Sequence, residues 1–298
     1  MQVRGLATPP RERAIHIALM AGAGLTIVVS AGLLAVLVFE SVRFFGDVAP
    51  SRLAADTVWA PAAGRFGLWP LLAGTLLTTL IGVGFALPLG VLAAIYVSEL
   101  APPRVRRLLV PALELLAGVP GVVLGYFALH ALTPALAQSL GLSRLNALSA
   151  GLVIGVMLVP MIAVLGANAM QRVPLNLREA AYALGASRLT TILRVVLPTA
   201  RRGIVAALLL ATARGAGETM IVAIAAGHVP RLGFDATQPT ATLTTFVLDV
   251  SMRTGATTAP NAAYRAAFVC GLLLVAVTII LNVLAQRALA SRPAQAPR

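Results

Sequence analysis

Arg214 and Glu218 are the residues of this chain whose types and spacing best suit chemistry on a charged solute. They stand four apart in the apolar stretch GIVAALLLATARGAGETMIVAIAAG, residues 203–227, with Gly215 and Gly217 between them. On a continuous helix that spacing puts both side chains on one face. An isolated charge at the centre of a bilayer costs at least ~2.5 kcal/mol, so each group must pair or face a polar path. An arginine offers an oxyanion a planar fork of donors, and a carboxylate nearby can hold the fork, offset part of its charge and permit release. The same two residues could instead form a self-satisfied pair that locks the helix against its neighbours. Glu114 is the other carboxylate close to membrane depth; it either faces water in a path or reaches back to the interface seven residues past Arg107.

A second constellation occupies residues 174–198, PLNLREAAYALGASRLTTILRVVLP, the one long central segment made for water. Asn176 is expected to cap a helix, with Glu179 three residues on returning the bond, and the helix should break at Gly185. A second helix is expected from about Ser187 to Leu197. Leu177, Ala180, Ala181, Leu184, Leu189 and Ile192 recur at helical spacing, while Arg178, Arg188 and Arg194 stay polar, which makes an amphipathic elbow. Such an elbow could lie on lipid or seat in a groove of a partner protein.

Composition sets the surroundings of both constellations. Apolar residues make up 59% of 298 positions and charged ones 11%, against roughly 25% charged in soluble domains. Charge-free runs extend over Ala14 to Phe39, Phe66 to Ser98, Leu115 to Ser143, Leu145 to Gln171 and Ala266 to Gln286. Each reaches the roughly 20 residues that cross a bilayer as helix. With residues 203–227 they predict six spans of an all-α membrane protein, and the first is too long for the apolar core of a cleaved signal peptide.

All 23 basic residues are arginine: fifteen lie in the two tails and the second and fourth loops, seven in the odd-numbered loops and one inside a span. The bias predicts cytoplasmic termini and a cytoplasmic elbow, and assigns the net charge of +13 to topology and anionic lipid rather than nucleic acid. Without lysine the chain cannot hold the lysine of a nucleotide-gripping P-loop, so an ATPase would have to be a separate chain. Cys270 is the only cysteine, and His16, His130 and His228 have no metal-ligand spacing. No cofactor, metal or enzyme active site is expected.

Glu179-Ala180-Ala181, three residues, Gly185, nine residues, then Val195, one residue and Leu197-Pro198 resembles the EAA signature of ABC-importer permeases, with Val195 where the pattern usually has Ile. The resemblance implies that Glu179, Ala180, Ala181, Leu184, Gly185 and Pro198 belong to a coupling helix seated in a cleft of an ATP-hydrolysing partner. The segments PLGVLAAIYVSELAPPRVRR and PALELLAGVPGVVLGYFAL, together with ARGAGETM and TLTTFV, resemble phosphate-specific ABC importer permeases, the PstC and PstA family, and more closely its PstC side. Membership would imply the type I importer, MetI-like fold and would support a path at Arg214, Glu218 and Thr219, with Glu114 a further candidate for that path on its depth alone. It would also imply four kinds of partner: a PstA-like second permease, a PstB-like ATPase dimer, a PstS-like extracytoplasmic phosphate-binding protein and the bilayer of a bacterial inner membrane. A permease for sulfate or molybdate, an ion-gradient-driven transporter with Glu114 and Glu218 as proton carriers, and a non-transporting scaffold are the alternatives. The elbow speaks against the last two.

The expected organisation is a cytoplasmic tail over 1–13, a first span over 14–39, an outer loop over 40–67, a five-helix core over 68–285 containing the elbow at 174–200, and a tail over 286–298. Gly82, Gly84, Pro88 and Gly90 in the second span suit either a cavity beside freed carbonyls or a tight helix crossing. Pro160 and Gly166 read as packing. The stretch 228–265 is an outer loop with room for a re-entrant piece near Thr240 to Asp249.

Overall fold

The structure is a computed structural model and describes residues 10–253 and 262–290. The first nine residues, positions 254–261 of the expected outer loop and residues 291–298 of the expected tail lie outside the described residues. Among those residues six helices are long and apolar enough to cross a membrane: Ile15–Asp47, Trp69–Leu100, Gly121–Leu140, Ala147–Gln171, Arg188–Ala216 and Ala262–Ala290.

Helix α1 runs Pro10–Asp47, well past the expected end at Phe39. It leans on α13 (Ala262–Ala290), and the sixth-span residue Arg265 is ion-paired to Asp47 and to Glu40. Most of α1 is exposed, as a helix in lipid can be, because hydrocarbon solvates leucine as well as a protein core does. Only its C-terminal end is buried, where Phe44 joins Trp59, Phe66, Leu71, Leu243 and Cys270 in an apolar cluster. The expected outer loop over 40–67 is therefore ordered. After α1 come α2 (Pro50–Ala55) and a short antiparallel hairpin, β1 (Trp59–Ala60) with β2 (Arg65–Phe66), that packs its two aromatics edge to face.

The centre of the bundle is the parallel pair of α3 (Trp69–Ile95), extended by a π-helical turn over Tyr96–Leu100, and α7 (Ala147–Gln171). Two glycines on each helix let the backbones touch. A Cβ on Gly82 would lie 2.9 Å from Ile154 Cγ2, one on Gly90 2.7 Å from Ile162 Cβ, one on Gly151 2.7 Å from Ile81 Cβ and one on Gly155 2.8 Å from the Gly82 carbonyl. Gly82 and Gly90 thus make a tight crossing rather than a cavity, while Gly84 has nothing within 4 Å of its Cβ position. Pro160 is buried, and Gly166 lies against Ala94, as packing residues should.

Two expected spans are broken. The third begins as α4 (Pro103–Ala117), stops at Gly118-Val119-Pro120 and resumes as α5 (Gly121–Phe127), a π-helical turn over Ala128–Leu132 and α6 (Thr133–Leu140). The fifth is one rod through α9 (Arg188–Thr191), a π-helical turn over Ile192–Val196 and α10 (Leu197–Ala216), then stops and resumes as the short α11 (Met220–Ala225). Pro120 explains the first break, since it cannot donate and disfavours helix for the residue before it; Gly215 and Gly217 weaken the second.

The following loop is pinned to the N-terminal end of α7. The amides of Ser143, Ala147 and Leu148 donate to the carbonyls of Thr237, Gln238 and Ala236, while that of Thr240 donates to Ala226. Asp235 accepts from both the hydroxyl and the amide of Thr237, which hold its carboxyl below the usual range. The chain then dips inward through buried Thr240 to Thr245 and leaves as α12 (Leu243–Arg253), placing a re-entrant piece where the sequence left room for one.

If the glycine crossing holds the bundle, Gly155→Ala should cost about 1–3 kcal/mol by overpacking, and Gly84→Ala should cost nothing measurable. Thermal unfolding of the two purified variants in detergent checks this, and equal midpoints would remove the crossing from its central role.

Candidate functional site

The two breaks meet at the middle of the bundle. A Cβ on Gly215, at the end of α10, would lie 3.2 Å from Leu158 Cδ1 and 3.6 Å from Ile154 Cγ2, both near the midpoint of α7. Across the junction, a Cβ on Gly121 would come 3.0 Å from Glu218 Oε1, and one on Gly125 would come 3.1 Å from Ile221 Cα. The half-helices that begin at Gly121 and Met220 therefore run side by side from a shared origin. Paired discontinuous helices at membrane depth are where transporters place solute sites, because broken backbone there is tolerated only inside protein or beside water.

Glu218 is central to this junction. Its Oε1 accepts from the amides of Met220 at 3.1 Å and Ile221 at 3.3 Å, so the carboxylate satisfies the donors left by the start of α11. Its backbone carbonyl accepts from Thr244 Oγ1 at 3.0 Å, which ties the junction to the re-entrant loop. Thr242 and Thr244 share a hydrogen bond of 2.8 Å, and the Leu243 amide donates to Thr75 Oγ1 on α3 at 3.1 Å. Threonine hydroxyls thus replace water for backbone that no helix serves.

The expectation that Arg214 and Glu218 share one helix face is corrected here. The helix ends at Ala216, and the turn through Gly217 carries Glu218 onto the next segment. Among the described residues Arg214 has no carboxylate within 4.0 Å; its Nη2 approaches Met157 Sδ at 4.0 Å. The guanidinium is exposed on the surface of the single chain, and Thr219 stands half-buried beside the turn. Glu114 lies exposed one turn before the other break, on a helix whose Leu109, Val110 and Leu113 pack against the lower ends of α3 and α7. It makes no ion pair among the described residues. No group of three metal-binding side chains converges among the described residues.

The elbow has the expected bend with different chemistry at its start. Helix α8 spans Leu175–Ala183 with Pro174 at its N-cap, and Asn176 Oδ1 instead accepts from the adjacent Leu177 amide, so the expected capping box with Glu179 is absent. Gly185 takes φ +78, and the amides of Gly185 and Ala186 donate back to Tyr182 and Ala181. This is a left-handed helix terminus that suits glycine. Ser187 then caps α9 through the Thr190 amide. The second arm does not stop at Leu197, because the preceding π-helical turn absorbs Pro198 and the rod continues into the fifth span. Ala181 and Ile192 are buried, whereas Leu177, Leu189 and Leu184, the last 88% exposed, face outward with Glu179 and Ala180.

One residue in the elbow's support had no sequence signal. Glu99, in the π-helical turn below α3, grips Arg178 with both carboxylate oxygens although 79 positions separate them. Nothing local marks such a partner.

A family model described as binding-protein-dependent transport system inner membrane component matches residues 86–295. The probable ABC transporter permease protein YqgH of Bacillus subtilis is 33% identical over 82% of this chain and 79% of its own length. The phosphate transport system permease protein PstC 1 of Mycobacterium tuberculosis is 34% identical over 81% of this chain and 77% of its own. Among solved structures, the inward-facing MetNI methionine ABC transporter aligns with a TM-score of 0.55 at 22% identity, covering 79% of this chain and all 100% of that one. A bacterial alginate ABC transporter aligns at 0.63 and 14% identity over 93% and 94% of the two chains. These two likenesses establish the fold.

Since Glu218 caps backbone rather than Arg214, Glu218→Ala should destabilise by about 0.5–2 kcal/mol, and Glu218→Gln, which keeps an acceptor oxygen, by much less. The stability effects of Glu218→Gln and Arg214→Gln should add within about 0.5 kcal/mol. Unfolding midpoints of the single and double variants decide it; strong compensation in the double variant would restore the ion pair.

Proposed function

The chain belongs to the family of binding-protein-dependent transport system inner membrane components, and on that premise we propose that it carries inorganic phosphate through the bilayer. In this reading it is one of two permease chains that enclose the path of an ATP-driven importer. The observation that carries it is Arg214, an exposed guanidinium at mid-depth with no carboxylate partner among the described residues. A cation on a lipid-facing surface is costly, so the face that holds it must meet a second permease and a polar path between the two. Its fork matches a phosphate oxygen pair better than an ammonium would. The relatives named as phosphate transport permeases support phosphate as the anion.

Each half of the reading has its support. The outward apolar residues of the elbow, Leu175, Leu177, Leu184 and Leu189, suit the cleft of an ATPase, which performs the hydrolysis. The arginine bias supports a cytoplasmic elbow and cytoplasmic termini. The re-entrant loop and the hairpin then face outward, where an extracytoplasmic binding protein delivers phosphate. Glu218 and Thr219 are path residues at the junction, and Glu114 stands at its cytoplasmic approach. The organisation follows: a peripheral first helix and a five-helix core over 68–285.

Two experiments check this reading. In proteoliposomes holding the assembled importer, Arg214→Gln should lower ATP-dependent uptake of radiolabelled phosphate at least tenfold at equal protein level, Arg214→Lys should recover little of it, and excess sulfate or molybdate should not compete. Uptake unaltered by Arg214→Gln, or abolished by sulfate, would redirect the assignment. For orientation, single cysteines in a Cys270→Ser background should label from outside at Ser51→Cys and Gly233→Cys and only after permeabilisation at Asn176→Cys. The opposite pattern would invert the topology.

A further inference from the structure

Four helices converge on Glu99. The residue sits where α3 ends, and its carboxylate is 7% exposed while the Arg178 side chain it holds is 16% exposed. Arg178 Nη1 donates to Glu99 Oε2, and Nη2 donates both to Glu99 Oε1 at 3.1 Å and to the Met170 carbonyl at 2.8 Å. Met170 lies in the last turn of α7, where its carbonyl also accepts from the Val173 amide, so Arg178 adds a side-chain donor to that helix end. Arg188 on α9 donates to the backbone carbonyl of the same Glu99. Ser98 Oγ supplies a further donor to Oε1 at 2.7 Å. The carboxylate, its own backbone and the guanidiniums of Arg178 and Arg188 thus link α3, α7, α8 and α9.

The sequence position of Arg178 gives the cluster its direction. It directly precedes Glu179-Ala180-Ala181 on α8, whose outward face is bare, and its side chain points the other way, into the bundle. A push on α8 has few other routes inward, because α8 buries Ala181 alone. At the other end of the route, α3 and α7 are fused by their glycine crossing and reach the junction at Glu218 through Thr75, Leu158 and Ile154. A bidentate pair of this kind is stiff in both distance and angle, whereas an apolar contact can slide.

Resting on the importer reading above, we propose that Glu99 is a positioning residue for energy coupling: its buried pair with Arg178 makes α8 and the lower ends of α3 and α7 one lever. Movement of α8 by the ATPase is thereby delivered to the helices that border the junction. Loss of the pair leaves the ATPase docked on an elbow that moves by itself.

The test uses the assembled importer in proteoliposomes, with phosphate uptake and ATP hydrolysis measured together. Glu99→Gln should retain co-purified ATPase and measurable hydrolysis, while phosphate moved per ATP falls at least tenfold. Arg178→Lys, which keeps the charge and cannot bridge both oxygens and the Met170 carbonyl, should fall in between and serves if Glu99→Gln does not assemble. Hydrogen exchange gives a readout independent of phosphate: adding nucleotide should alter exchange in α8 and the ends of α3 and α7 of the unsubstituted complex, and in α8 alone of the variants. Unchanged phosphate per ATP, or an unchanged exchange response at α3 and α7, overturns the proposal. A wild-type complex that hydrolyses ATP without moving phosphate would instead count against the substrate reading, leaving the exchange result to judge the lever.

Discussion

Backbone that leaves a helix at membrane depth must be satisfied inside the protein, because hydrocarbon offers it no partner. The breaks at 118–120 and 217–219 impose that demand twice, and the bundle meets it by bringing them together. Glu218 supplies the acceptor for two free amides, Thr244 supplies the donor for its carbonyl, and Gly121 lets the carboxylate come near. The re-entrant loop follows from the same demand, since a threonine must be brought to mid-depth from outside the spans. The polar groups of the proposed solute path thus stand where the structure already requires them.

The remaining elements serve to fix the place of this junction. The glycine crossing of α3 and α7 is a rigid spine because each backbone rests on the other's side chains, with no flexible layer between. The rod from α9 through α10 joins the second arm of the elbow to Arg214 on one element, so that the two are mechanically continuous. The π-helical turn inside it matters: it lets Pro198 enter a helix that its missing donor would otherwise end. Glu99 ties a second element, α3, to the same elbow.

Peripheral position and charge pairing explain α1. It contributes only its C-terminal end to a buried cluster, and Arg265 holds that end through Glu40 and Asp47. A helix attached in this way can be long without altering the core.

Six crossings, the elbow's bend at Gly185 and the place of a re-entrant loop were legible in the residues, because hydropathy, arginine bias and left-handed turns are local or summed properties of the chain. Family likeness rested on motifs of the same local kind. The expected shared face of Arg214 and Glu218 fails for an instructive reason: a spacing of four means one face only while the helix lasts, and whether two glycines end it depends on what stands opposite. Here Gly121 of a different span stands opposite, and Glu218 turns to cap a new helix. Asn176 lost its expected cap because Pro174 begins α8 earlier, and the second arm outran Leu197 because tertiary packing stabilised a π-helical turn that propensity alone does not predict. Glu99 with Arg178 was invisible altogether, since a contact across 79 positions leaves no periodic trace. Sequence by itself determined which segments live in lipid and which side of each could be wet. Only the tertiary structure decided which polar groups meet, because that depends on where breaks in distant helices are brought to the same depth.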